Sequence, residues 1–439
     1  MEKGAHTPVA PDEFRAALDA LKAPARVALA ISGGPDSMAL ACLAAETKSL
    51  NAEIFAFTVD HGLRPDAADE AVRAGAWCAA LGFTHQVLRW RGEKPASGVQ
   101  EAARRARYRL LAEAANKAGA AAILTAHNLD DQAETVFMRL ARGAGPQGLA
   151  AMAEDKLIAA GPGAPVRLLR PMLAIPRARL IATLAARRQD YVDDPSNEDP
   201  AFERVRVRAL LAALEEQNLL SAQALARTAD SMSAAARRLM KAEDRRFRRA
   251  GGCFYAWGGA SVDVDRLDAS FAPVLRRLIH AVSGADYPPR EADCAQALSK
   301  ALDAGAAALG GALLKQREPR LFVMREPAAL TGRVDSAPAE PAPLPPNSRI
   351  LWDGRFIVDD ADGGPALEVA ALGEAGFEAL GPRAGLVDAP REALLATPAI
   401  WRAGAFLAAP ALGIRQPDAP GVRARPIAEE RYFRRILRF

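Results

Sequence analysis

The sequence predicts an α/β protein: a doubly wound parallel sheet, followed by a mainly helical domain and a small α+β domain at the C-terminus. Three observations carry that expectation. Through roughly the first 200 residues, short apolar runs alternate with segments of helical length, the pattern of a parallel sheet covered on both faces. From Ala201 to Ala250 the pattern is nearly all helix. A stretch at 333–347 with five prolines then reads as a semi-rigid linker before the strand-like LWDGRFIVDD and FLAAPALGI.

Taken in order, residues 26–31 (RVALAI) form the first strand, ending in SGGPDS and a helical pattern through Thr47. The second strand, 53–59, ends at Asp60-His61 and leads to a helix over 66–81. HQVLRW is the third, and an Arg-rich helix follows from about Val99 to Lys117. AAILT at 121–125 is the fourth, ending at AHNLDDQAET and a further helix. Ligands of such sheets bind at the carboxyl ends of the strands. Three polar clusters fall at that edge: Ser32 to Ser37, Asp60-His61, and His127 to Asp131. Beyond residue 250, CFYAW and RLFVMRE are strand-like around two helices. The implied domains are 1–215 (α/β), 216–330 (mainly helical), 331–347 (linker) and 348–439 (small, with a basic tail).

Composition excludes several classes. Half of the 439 residues are hydrophobic and a quarter charged, the balance of a globular chain with ample core. No run of about 18 uncharged apolar residues occurs, so no membrane helix is expected. The N-terminus carries acids and lacks an apolar core segment, so a secretory signal is not expected either. The four cysteines lack C-x-x-C spacing, which argues for buried thiols in a reducing cytoplasm rather than a disulfide, zinc or iron–sulfur site. The net charge of +4 hides an excess of arginine, since only nine basic residues are Lys. Arginines cluster at 237–249, where seven basic residues face two acids, and in the last 24 residues, where six face three. Each tract is a candidate anion contact or simply a solvated face.

Ser32-Gly33-Gly34-Pro35-Asp36-Ser37 sits between a buried strand and a helix start. Glycines permit a tight turn and close backbone approach, while amides at the helix start attract an anion. Asp36 would repel phosphate, a conflict that a bridging Mg²⁺ resolves. A Walker A loop is excluded because no lysine follows a glycine, and G-x-G-x-x-G is absent here. The bland alternative is an ordinary strand-to-helix turn with a polar cap.

The placement of this loop resembles the PP-loop, or N-type ATP pyrophosphatase, superfamily. VDHGLRPDAADEA (59–71), EAARRARYRLL (101–111), TAHNLDDQAETVFMRLARGAGPQGLAAM (125–152), RLLRPML (167–173) and YVDDPSNEDPAFERVRVR (191–208) follow in order. Together they resemble the bacterial tRNA(Ile)-lysidine synthase family, densely over the first half of the chain and loosely beyond it. The resemblance implies a cytoplasmic C–N ligase. It would use ATP and Mg²⁺ to join free L-lysine to C2 of the wobble cytidine of tRNA(Ile) with a CAU anticodon, through an adenylated cytidine. A homodimer is among the assemblies it allows, and no membrane partner is implied. It implies that Ser32, Gly33, Gly34, Pro35, Asp36 and Ser37 bind ATP, with Asp36 catalytic and metal-linked.

Asp130 and Asp131 then hold Mg²⁺ or the lysine ammonium, Asp131 fitting the family's D-Q-x-E-T pattern better; helix capping is the alternative role. His127 shuttles a proton or binds phosphate. Arg104 and Arg107, three apart on one helix face, clamp phosphate, with a solvated stripe as the competing role. His61 and Arg64 also match the family without a defined role. One departure stands out: Val205 follows Arg204 where the family usually has Asn, leaving Arg204, Arg206 and Arg208 as cations. Rival readings are a tRNA thiolase, disfavoured by the cysteine spacing, and a non-catalytic tRNA-binding protein with a degenerate loop, disfavoured by the intact SGGPDS.

Overall fold

In a computed structural model of the chain, residues 7–47, 54–62, 67–92, 94–95, 98–158, 165–193, 199–285, 287–332, 339–360, 362 and 366–433 are described. Arg64, Ser196, Asn197 and the last three arginines of the tail lie outside them. The chain divides into two compact units, the boundary falling between Leu239 and Met240.

The first unit contains α1 (Pro11–Ala20), β1 (Val27–Ala30), α2 (Pro35–Glu46), β2 (Phe55–Asp60), α3 (Ala67–Ala80), β3 (Thr84–Arg89) and α4 (Val99–Lys117). It continues with β4 (Ala122–Leu124), α5 (Leu129–Ala141), α6 (Pro146–Leu149), β5 (Asp155–Ile158), β6 (Val166–Leu169), α7 (Arg177–Arg187), α8 (Glu203–Glu216) and α9 (Ala222–Arg249), which runs on past the boundary. The strands form one sheet in the order β3-β2-β1-β4-β6-β5. All neighbours are parallel except the β5–β6 pair at the edge.

The α/β expectation is therefore met, with the first four strands and their helices where the apolar runs put them. β1 is central, and Val27, Ala28 and Leu29 are fully buried because helices cover both faces. α2 is apolar nearly all round and is buried from Met38 to Ala44, so it forms the core rather than a surface helix. Chain order reverses at β1, which has β2 on one side and β4 on the other. A crevice must open there, at the carboxyl ends of β1 and β4.

The second unit is described from Met240 onward. It holds β7 (Cys253–Phe254), β8 (Ala260–Asp263), α10 (Ala272–Ser283), α11 (Glu291–Ala304), β9 (Ala306–Leu309), β10 (Ala312–Arg317), β11 (Arg320–Arg325) and α12 (Ala328–Thr331). Next come β12 (Ala342–Leu344), β13 (Arg349–Trp352), β14 (Phe356–Asp360), β15 (Leu367–Ala371), α13 (Gly373–Leu380) and α14 (Arg391–Leu395). The chain ends with β16 (Pro398–Arg402), β17 (Ala405–Ala409), β18 (Ile414–Arg415), β19 (Val422–Pro426) and α15 (Ala428–Tyr432). Three antiparallel sheets result: β7-β8-β11-β10-β9, β12-β15-β16-β17-β18 and β13-β14-β19.

Three sequence expectations meet a different structure here. Residues 253–325 add a five-stranded sheet to α10 and α11, so the segment expected to be mainly helical is α+β beyond α9. Residues 342–344 of the expected linker form an edge strand paired only with β15, a place where Pro343 costs no ladder bond. The basic tail is not free through Phe433: β19 pairs with β14, and Arg431 is 4% exposed. Its guanidinium donates to the carbonyls of Gly354, His280 and Ala285 at 3.1, 2.9 and 2.6 Å. Beside it, Tyr432 lies under the Arg277 guanidinium, 4.3 Å from the ring centroid. Of the cysteines, Cys42, Cys78 and Cys294 are buried as expected, whereas Cys253 is exposed.

Candidate active site

A cleft of about 370 Å³ opens at the sheet's switch point. It is lined by the loop after β1 (Ser32, Gly34, Pro35, Asp36, Ser37), by Arg107 and Tyr108 of α4, and by Thr125, His127 and Asp131 after β4. Arg177 of α7 and Arg204 and Arg208 of α8 complete its polar lining.

The loop is a compact hydrogen-bonded turn. Ser37 Oγ donates to the Gly34 carbonyl at 2.9 Å and accepts from the Ser32 amide at 3.2 Å. Gly33 has φ +83°, and a Cβ there would stand 3.1 Å from Val192 Cγ2, while its carbonyl accepts from Val192 N at 2.9 Å. Glycine is thus required on both backbone and packing grounds. Pro35 opens α2, where its missing N–H is no loss, and the first-turn amides lack intrahelical partners. This is an anion cradle, with Asp36 placed inside it.

Asp36 Oδ1 is buried without a hydrogen-bond partner, and Arg177 Nε stands 3.7 Å away. Burial pushes the carboxyl up to about 6, against the pull of Arg177. An orphaned oxygen beside a phosphate cradle fits a divalent cation, because Mg²⁺ is usually held by one or two carboxylates, substrate phosphates and water.

The Asp130-Asp131 pair is split in its tasks. Asp131 closes a capping box on α5: its Oδ2 accepts from Asn128 N at 3.1 Å, and its amide donates to Asn128 Oδ1 at 3.0 Å. Its Oδ1 faces Arg204 at 3.4 Å, and burial raises its pKa. Both oxygens are engaged, so Asp131 fits a metal less well than Asp36. Asp130 accepts from the amide of Arg177 at 2.8 Å, joining α5 to the first residue of α7. The helix-capping role weighed in sequence is thus real for both aspartates.

His127 Nδ1 lies 2.9 Å from Thr125 Oγ1. Burial, reinforced by Arg170, Arg204, Arg104 and Arg107, holds its pKa well below the usual histidine value. The ring is therefore neutral at pH 7, and a shuttle that titrates near neutrality does not fit this setting. Arg107 lines the cleft and meets His61 Nε2 at 3.5 Å. Arg104 packs over the Tyr108 ring at 5.2 Å and is not among the lining residues.

Beyond the residues expected from sequence, the polar lining includes Tyr108, Thr125, Arg177, Arg204 and Arg208. Arg204 and Arg208, two of the cations beside Val205, converge through their Nε atoms on Glu134 at 2.7 and 2.8 Å. Glu134 is only 1% exposed and anchors both guanidiniums. The available signal for Arg177 was Pro176-Arg177 opening a helix just beyond β6, at the same sheet edge as the other clusters.

Residues 9–214 match the family described as a PP-loop domain. A tRNA(Ile)-lysidine synthase from Methylobacterium nodulans is 40% identical over 343 residues, covering 74% of this chain and 98% of the relative. The chain belongs to the tRNA(Ile)-lysidine synthase family. A family member from Ruegeria pomeroyi is 34% identical over 400 residues, covering 89% of this chain and 90% of that one. A member from a Bradyrhizobium species is 53% identical over 193 residues, covering 42% of this chain, and there the match spans about half of the relative's length, 51%. The family assignment puts the ATP-binding PP-loop domain on the unit that holds the cleft.

Proposed function

We propose that this protein ligates free L-lysine to C2 of the wobble cytidine in tRNA(Ile) with a CAU anticodon, consuming ATP and releasing AMP and pyrophosphate. The observation that carries the reading is the convergence, in one cleft, of the SGGPDS cradle, Asp36 and the guanidiniums of Arg107, Arg177, Arg204 and Arg208. Family membership sets the substrate class. In the first half-reaction, cytidine O2 attacks the α-phosphorus of ATP. A P–O bond forms, the bond to the β-phosphate bridging oxygen breaks, and pyrophosphate leaves with the electron pair. In the second, the lysine ε-amine attacks C2, the C–N bond forms, and AMP departs with O2 and the electron pair of the C–O bond. The amine's proton passes to a base or to solvent.

The loop amides and Ser32 and Ser37 hold the phosphates, and guanidiniums offset charge that develops on the leaving groups. Asp36 would hold Mg²⁺, which supplies charge neutralisation on the phosphates. Asp131, also lining the cleft, supplies negative charge toward the lysine ammonium while its oxygens stay engaged with Asn128 N and Arg204. His127 is neutral and serves as a hydrogen-bonding group. A tRNA substrate supports a cytoplasmic location.

Exposed cations along α9 are candidates for RNA-backbone contact in the second unit. Lys241, Arg245 and Arg249 are exposed at four-residue spacing, and of the described tail arginines Arg423 and Arg425 are exposed while Arg431 is buried. The test is incubation with ATP, labelled lysine and a CAU-anticodon tRNA transcript. Label entering the tRNA in an ATP-dependent manner supports the reading; a folded protein that transfers none overturns it.

A further inference from the structure

Of the guanidiniums lining the cleft, Arg177 is set apart by its partners. Arg204 and Arg208 are held by Glu134, with Asp131 also facing Arg204. Arg107 faces His61. Arg177 instead reaches Asp36 Oδ1 at 3.7 Å, an ion-pair distance too long for a hydrogen bond. Its side chain is 29% exposed and lines the same cleft as the phosphate cradle. Its backbone is fixed from another element: Arg177 N donates to Asp130 Oδ2 at 2.8 Å, and Pro176 caps α7 immediately before it. α7 therefore starts at a position set by α5, and that position aims a planar cation at Asp36. A cation bound by Asp36 would share that carboxylate's charge, leaving the guanidinium to face the phosphates beside it.

We infer that Arg177 binds the β- and γ-phosphates of ATP and then the departing pyrophosphate, and that Asp130 is a positioning residue acting through it. The inference rests on the ATP-dependent reading above. A guanidinium–phosphate fork is a charge-assisted, bidentate contact, so its loss weakens binding by about 10- to 100-fold. Asp130 contributes an acceptor rather than a charge in this role. An amide oxygen at the same position can accept the same N–H.

The experiment measures binding of ATP, inorganic pyrophosphate and AMP by titration calorimetry, with thermal unfolding as a control on the fold. Arg177→Ala should weaken ATP and pyrophosphate by about tenfold or more while AMP affinity holds. Arg177→Lys, which keeps charge but not the fork, should fall between. Asp130→Ala should reproduce part of the pyrophosphate loss, and Asp130→Asn should recover most of it. Pyrophosphate affinity unchanged in folded Arg177→Ala or Arg177→Lys overturns the inference. Equal losses in Asp130→Ala and Asp130→Asn overturn the positioning role. If the unsubstituted protein binds neither ATP nor pyrophosphate, the ATP-dependent reading itself fails, a result distinct from the other two.

Discussion

Asp36 concentrates the trade between stability and function at the scale of one side chain. Its folded-state pKa of about 6 exceeds the ~3.9 of an unfolded aspartate, so the folded state binds the proton more tightly. Burying the ionised carboxyl therefore costs stability in full above about pH 6, and that cost disappears as pH falls toward 4. Asp36→Asn should raise the unfolding temperature of the first unit at pH 7.5, a gain on the order of 1–2 kcal/mol that vanishes near pH 4. The same variant should lose ATP-dependent pyrophosphate release. Melting curves at both pH values, with a pyrophosphate assay, check this; a destabilised variant at pH 7.5 contradicts it. The histidines behave differently. Burial drives His61 down to about 4 and holds His127 low as well. The acid limb of the pH–rate profile should consequently persist in His61→Gln, whereas a limb abolished by that substitution would assign it to the imidazole.

The elements that build the site depend on buried polar contacts between helices. Glu134 of α5 receives Arg204 and Arg208 of α8, and the same helices share apolar packing that includes Ala133, Phe137 and Leu211. Glu134→Gln should loosen α8 by about 1–3 kcal/mol, discounted because both guanidiniums are about two-fifths exposed. Hydrogen exchange should accelerate in α8 and remain slow in β1 and α2; unchanged exchange in α8 would show that apolar packing alone seats it. The first four strands and their helices were legible in sequence, because buried parallel strands are short apolar runs and α4 is amphipathic over Val99–Lys117, whereas β5, β6 and α7 were not assigned. Their cross-contacts were not. Nothing in a linear pattern says that Glu134 is nearly inaccessible, or that Asp130 caps a helix 47 positions later. Local spacing does reveal the loop, since Ser32 to Ser37 form one turn. Arg177 needed the sheet order, in which β6 lies beside β4.

Across the whole molecule, the second unit shows where charge runs mislead. The tail arginines and the α9 tract look alike in sequence, yet Arg431 is a structural bolt in the second unit and Arg246 of α9 is held by Asp268, while Arg423 and Arg425 of the tail and Lys241, Arg245 and Arg249 of α9 are exposed. Deleting residues 416–439 removes β19, Arg431 and Tyr432, and should unfold the second unit instead of merely weakening RNA binding. Limited proteolysis checks this, and a protease-resistant second unit in the truncated protein would contradict it. Replacing Lys241, Arg245 and Arg249 by Ala should leave the fold intact and reduce the salt slope of tRNA binding by about one per lost phosphate contact. An unchanged slope would make that face a solvated surface. The proline-rich stretch was only half readable, because a proline at an unpaired sheet edge looks like a linker from sequence alone. The central claim is lysine transfer to tRNA, and ATP-dependent incorporation of labelled lysine into a CAU-anticodon transcript tests it most directly. The account predicts stoichiometric label in that tRNA and none when the wobble cytidine is replaced by uridine. Equal labelling of both transcripts, or none from a folded protein that binds ATP and tRNA, would contradict it.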